Sequence, residues 1–245
     1  MIDFFKSKEK KLQEARLKLE QELSSNGMEF LIESMASEDI YSPLLEKQRR
    51  EVISGTDDVS WYAYRRAEKL ESDADKAELL ALLETYADSP IRSHVYFALA
   101  HLAKNREDNE LFSFLMEKLQ SEKDKESKLL ILMGVKEMKK DAVLNIKPIQ
   151  LLTKSRSYKI KTQAILALQE THNPEVEPLL LELFRETKDS HTKKMICTPL
   201  KSVGTYESVP ILEREYKITR DHGLRSSIEF TLNKIKERKS AANPS

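Results

Sequence analysis

From about residue 88 onward, one arrangement of polar and apolar positions returns at nearly constant spacing. An acidic or small polar residue is followed four positions later by a basic one, seven later by an apolar one, ten later usually by a small one and eleven later by an aliphatic one. It occurs as Asp88, Arg92, Val95, Ala98, Leu99 and again as Asp124, Lys128, Ile131, Gly134, Val135. A serine opens the third occurrence, Ser157, Lys161, Ala164, Ala167, Leu168. The fourth is Asp189, Lys193, Ile196, Pro199, Leu200, and the fifth is Asp221, Arg225, Ile228, Thr231, Leu232. The starts lie 36, 33, 32 and 32 residues apart, a period that marks stacked supersecondary units.

Each position has a physical reason. Apolar residues at +7 and +11 share one helix face, and a small residue at +10 lets a second helix come close. The starter can accept hydrogen bonds from the free N–H groups of the first turn, so Asp88, Asp124, Ser157, Asp189 and Asp221 are expected to be structural caps. The basic residue one turn later is expected to pair with an acidic starter. These segments form the A helix of a two-helix repeat. Apolar stretches between them, Leu111 to Leu119, Ile146 to Leu152, Val176 to Phe184 and Val209 to Tyr216, supply a B helix. Pro148, Pro178 and Pro210 fall in the first turns of those helices, where a missing N–H costs little. Gly204 predicts a helix end, and Pro199 a kink inside an A helix.

Upstream the rhythm is weaker. Asp57, Trp61, Tyr64 and Ala67 imitate it with an aromatic in the basic position, and Leu79 to Tyr86 supplies the partner helix of a degenerate first repeat. Asn26-Gly27 and Gly55 predict the ends of helices at about 2–25 and 42–53. Leu12, Ala15, Leu19 and Leu23 make a narrow stripe among Lys and Glu, which suits a cap over the open end of a stack. The predicted organisation is one continuous domain: a helical cap over 1–56, the degenerate repeat over 57–87, regular repeats over 88–239 and a disordered tail over 240–245.

The rhythm resembles that of the HEAT-repeat family, whose A helices carry a similar Asp…Arg/Lys…Ala-Leu pattern and are often bent by proline. The match is nearest in Asp189 to Leu200 and Asp221 to Leu232, beside the B-helix runs Glu177 to Leu180 and Val209 to Leu212, and it covers about 88–239. The resemblance implies an all-α fold, a right-handed α–α superhelix with an irregular helical N-terminal cap. The family includes scaffolds, transport receptors and a few enzymes, so the fold does not decide the function.

Composition narrows the chemistry. Cys197 is the only cysteine, which excludes an intramolecular disulfide and a multi-thiolate zinc site, and its setting predicts packing. The five histidines, His94, His101, His172, His191 and His222, form no ligand pair, and no His-Glu dipeptide occurs. That sets the chain apart from the HEAT-type hydroxylases that hold iron with His-Glu pairs. No two glycines fall within ten residues of each other, so there is no glycine-rich phosphate loop. No metal, cofactor or catalytic residue is expected. Apolar runs end well short of the roughly 20 residues that span a bilayer. The N-terminal residues lack the apolar core of a secretory signal, and a cytoplasmic location is expected.

The net charge is zero, which removes the usual footprint of a general nucleic-acid binder. It hides a polarity, since residues 1–100 carry 14 Lys and Arg against 20 Asp and Glu, and the remainder 27 against 21. On a stack of helix pairs the B helices usually line the concave face, and Lys118, Lys154, Arg185, Arg214 and Lys217 are the binding candidates there. Arg185 and Lys217 stand 32 apart, one repeat, and are expected to be neighbours. A second candidate is the cluster Trp61, Tyr62 and Arg65, a mixture found at interface hot spots and base platforms. The alternative for that cluster is that Trp61 and Tyr64 pack inward while Tyr62 and the arginines are solvated. The expected function is a non-enzymatic protein-binding scaffold whose partner has an acidic surface. Two alternatives stand beside it. One is a nucleic-acid module or an enzyme similar to the HEAT-like alkylpurine DNA glycosylases, disfavoured by the zero charge and a single tryptophan at the acidic end. The other is a lyase or chaperone resembling the phycobilin lyases, which no residue selects.

Overall fold

A computed structural model describes residues 2–41 and 58–242. The expected helix at 42–53, Gly55 and Asp57 lie outside them. Every named element among the described residues is an α-helix, and none is long and apolar enough to cross a membrane. The helices fall into two compact units, residues 1–106 and 107–245.

The first unit holds α1 (Ile2–Ser25), α2 (Gly27–Met35), α3 (Val59–Ala67), α4 (Asp73–Thr85) and α5 (Arg92–Arg106). The chain turns between α1 and α2 at Asn26 and Gly27, where φ is +84°, a backbone conformation that glycine adopts without strain. Leu19 and Leu23 of α1 are buried where it meets α2 and α3, whereas Leu17 is 56% exposed. A capping box starts α4: Asp75 N–H donates to Ser72 Oγ at 3.0 Å and Ser72 N–H to Asp75 Oδ2 at 3.0 Å. At the far end of α5, Asn105 Nδ2 donates to the carbonyls of Glu68 and Leu70 at 2.9 and 2.8 Å, satisfying acceptors that α3 leaves open.

The second unit holds α6 (Asn109–Ser121), α7 (Lys125–Val135), α8 (Lys147–Leu152), α9 (Tyr158–Leu166), α10 (Val176–Glu186), α11 (Ser190–Val203), α12 (Ser208–Ile218) and α13 (His222–Ala242). The A helices α7, α9, α11 and α13 pack each on the next, and every one also packs on the B helix that precedes it, α6, α8, α10 or α12. The result is two layers of helices. The seam between A helices is built from the repeat pattern itself, for Ile131, Val135, Ala164, Ala167, Leu168, Ile196, Leu200, Ile228 and Thr231 are all shut off from solvent. Thr231 Oγ donates to the Cys197 carbonyl at 3.2 Å, so the small +10 residue also ties α13 to α11. α13 runs through Ala242, past the start of the expected disordered tail, because Lys, Ser and Ala there all tolerate helix.

The caps divide. Asp124 accepts from Ser127 N–H at 2.7 Å, Asp189 from Thr192 N–H at 2.8 Å and Asp221 from Leu224 N–H at 2.8 Å. The Ser157 side chain makes no such bond. Asp88 lies in a turn upstream of α5, and it is Ser89 Oγ that accepts from Ile91 N–H, at 3.3 Å, beside Pro90. At Asp189 and Asp221 the cation four residues on does not return to the capping carboxylate, whose oxygens hold backbone N–H groups and, at Asp221, the Lys194 ammonium. Lys193 pairs instead with Glu215 of α12, and Arg225 donates to the Thr219 carbonyl at 3.0 Å with its guanidinium 5.5 Å from the Tyr216 ring.

Gly204 does end α11, though not in the left-handed conformation. Its φ is −64°, and glycine is needed because a Cβ would lie 2.6 Å from the Leu200 carbonyl oxygen. Two polar groups that sequence reasoning passed over fasten neighbouring repeats. The buried Glu177 carboxylate accepts from Thr205 N–H at 2.6 Å and Ser208 Oγ at 2.5 Å. Lys140 is fully buried, and its ammonium donates to the carbonyls of Met138 and Gln169 at 2.6 and 3.0 Å. Backbone bonds from Lys140 N–H to Glu170 O and from His172 N–H to Lys140 O, both 2.8 Å, hold it there.

Candidate docking grooves

Two grooves open side by side on the B layer of the second unit. The first, about 360 Å³, lies between α8 and α10 and is lined by Lys147, Gln150, Leu151 and Lys154 on one side and Glu175, Pro178, Leu179 and Glu182 on the other. Its charges cancel, and Lys154 is bound across the groove to Glu182 at 3.2 Å. The second, about 620 Å³, lies between α10 and α12, with Phe184, Arg185, Pro210, Ile211, Arg214, Glu215 and Ile218 around it and Lys193 reaching in from α11.

The repeat explains the apolar lining. In Pro178-Leu179-Leu180 and Pro210-Ile211-Leu212 the last residue is fully buried, whereas Leu179 and Ile211 remain half-buried and face the grooves. Two successive apolar residues on one helix cannot both point into a core only one stripe wide. At the floor of the second groove the Lys193 ammonium lies 5.3 Å from the Phe184 ring centre and 2.8 Å from Glu215. Ile218 is 66% exposed at the mouth. Arg185 and Arg214 are exposed and have no ion pair among the described residues.

Of the five basic candidates, then, Arg185 and Arg214 share one groove and Lys154 lines the other in an ion pair. The side chain that joins Arg185 at the groove is Arg214, with Lys217 exposed beyond its lining. Lys118, on α6, lies over the ring of Phe114 at 5.1 Å. Sequence reasoning missed Ile211, Ile218 and the pair Lys193–Glu215. The signal for the first was the doubled apolar residue after each proline.

The aromatic cluster is arranged differently from either sequence reading. Tyr62, expected in solvent, is buried, edge-on to Tyr41 at 5.4 Å and to Trp61 at 4.9 Å, while Trp61 and Tyr64 are half-buried. The reason is that α1 packs across α3 and covers the Tyr62 face, with Arg16 of α1 5.5 Å from the ring centre. Arg65 is exposed and lies 5.8 Å from the Trp61 ring. Tyr64 turns inward, its hydroxyl 2.8 Å from His94 Nδ1, and burial lowers the His94 pKa. Cys197 is fully buried, and burial pushes its thiol up to about 12, so it carries no thiolate near neutrality.

Residues 147–233 match the family model for HEAT repeats. The matched stretch begins at α8 and ends within α13, so it contains both B-layer grooves. No curated protein and no solved structure matches the chain.

Proposed function

We propose that the protein is a non-enzymatic docking module whose B-helix face takes an acidic segment of a protein partner, with an apolar side chain of that segment seated between α10 and α12. The observation that carries this reading is the pairing of an apolar lining, Pro210, Ile211 and Ile218, with two exposed guanidinium groups, Arg185 and Arg214, that have no ion pair among the described residues. With Lys193 answered by Glu215, the groove keeps an excess of positive charge. An apolar anchor inside a charged rim is the usual arrangement of a binding hot spot. The match to HEAT repeats supports it further, since stacked repeats present extended surface to protein partners.

Panning a displayed random-peptide library on the intact protein tests the reading. Enrichment of sequences that combine Asp or Glu with a large apolar residue is expected, with binding weakened at least about tenfold by Arg185→Glu and Arg214→Glu together. Enriched sequences without acidic residues, or binding that survives the double change, would overturn it. Retention of labelled single-stranded or duplex nucleic acid at low salt, abolished by the same variant, would favour a nucleic-acid ligand instead.

A further inference from the structure

The groove between α1 and α3 is basic although residues 1–100 are acidic in sum. Residues 1–100 carry 14 Lys and Arg against 20 Asp and Glu, yet Arg16, Arg65, Arg66 and Lys69 converge on this one groove, with Glu20 its only acidic lining among the described residues. Glu20 holds Arg16 at 2.9 Å and Glu68 holds Arg65. Arg66 and Lys69 have no ion pair among the described residues, and Arg66 Nε is buried without a hydrogen-bond partner. Two positive charges are therefore unanswered among the described residues. The wall beside them is aromatic, with the indole of Trp61 set against the Arg65 guanidinium and the edge of Tyr62.

We propose that this groove binds a small phosphate monoester carried on a planar ring, a nucleoside monophosphate being the simplest case. Two unanswered cations match the two charges of a phosphate monoester, and a guanidinium can hold two of its oxygens at once. The Trp61–Arg65 wall offers a stacking partner to a ring. At about 380 Å³ the groove falls within the size range of small-molecule sites. A groove of that volume holds one phosphate and one ring rather than a run of nucleotides.

Trp61 is the only tryptophan in the chain, so its emission reads this groove alone. Titrating the full-length protein with AMP is expected to change that emission saturably with a Kd below about 1 mM, with adenosine and inorganic phosphate each at least about tenfold weaker. Lys69→Gln, a change at an exposed residue, is expected to weaken AMP about tenfold, and Arg66→Gln with it further, while circular dichroism stays unchanged. A flat response to AMP, an equal response to adenosine or to phosphate alone, or undiminished binding in a folded Lys69→Gln variant would overturn the proposal.

Discussion

The Lys193 ammonium and the Glu215 carboxylate lie 2.8 Å apart with their side chains only 13% and 17% exposed, joining α11 to α12 beneath the larger groove. At that depth breaking the pair leaves a charge that water reaches poorly. Lys193→Met and Glu215→Gln are each expected to cost about 2–3 kcal/mol, less than a fully buried pair because some solvent remains. The double variant should recover part of that loss, and a urea double-mutant cycle measures the coupling. Additive losses would mean that the two charges act independently.

Asp189 and Ser157 begin equivalent helices, but only Asp189 uses its side chain as a cap. Asp189→Ala is expected to cost about 1 kcal/mol and Ser157→Ala less than about 0.5 kcal/mol. Hydrogen bonds from the Thr192 hydroxyl and N–H hold the Asp189 carboxyl below its ordinary 3.8. A carboxyl depressed in the folded state contributes stability that is complete above the unfolded value and vanishes as pH falls through the folded one. The gap between wild type and Asp189→Ala should therefore close below about pH 4. Chemical denaturation across acidic pH checks both the difference and its closure.

Lys140 titrates in the opposite sense. Burial pulls its ammonium from 10.5 down to about 7, with Glu170 opposing the shift. Between those two values the unfolded chain binds the extra proton, so this residue's contribution to stability rises with pH across the window. Lys140→Met leaves the Met138 and Gln169 carbonyls without their donor, a loss of about 1–3 kcal/mol at neutral pH. The difference between wild type and Lys140→Met should widen from pH 7 toward pH 10, as denaturation midpoints at the two ends would show. A constant difference would mean that the ammonium stays charged throughout.

Much of the two-layer array was legible because its determinants are local and repeated. Val95, Ile131, Ala164, Ile196 and Ile228 recur at the repeat period, and all five are fully buried. The prolines of α8, α10 and α12 sit in first turns for the same reason, since the constraint acts within one turn of chain. What stayed hidden depends on neighbours far along the chain. Lys140 stands in the polar run Lys136 to Asp141 and reads as solvated, yet the backbone of residues 170–172 draws it inside. Tyr62 is buried because α1 crosses α3, which no spacing within residues 61–66 encodes. The same holds for the charge partners: Lys193 has an aspartate one turn before it in sequence, but that carboxylate is occupied by N–H groups and Glu215 approaches from the next B helix.

That distinction between paired and unpaired cations separates residues that the sequence grouped together. Lys154 and Arg185 are both exposed, basic and on the B layer, but Lys154 is bound to Glu182 at 3.2 Å while Arg185 faces its groove beside Arg214 with no carboxylate partner among the described residues. An exposed ion pair contributes little to stability, so Lys154→Ala and Glu182→Ala should each change unfolding by no more than about 0.5 kcal/mol. For docking, a charge already neutralised by a neighbour adds little to the field that a partner meets. Removing Lys154 also frees Glu182, which places one negative charge beside the approaching acidic segment. Arg185→Ala removes an unanswered cation from the groove that seats the apolar anchor. Arg185→Ala and Arg214→Ala are each expected to slow association of an acidic peptide several-fold, roughly in proportion to their share of the groove's excess charge, and to make it less dependent on salt. Lys154→Ala together with Glu182→Ala should leave the rate unchanged, because the pair is removed without altering net charge. Ile218→Ser, at an exposed position, should instead shorten the lifetime of the complex, since apolar contact acts after the encounter. Stopped-flow association at two salt concentrations resolves these cases, and an equal slowing by the neutral double change and by Arg185→Ala would contradict the placement of the docking charge at the larger groove.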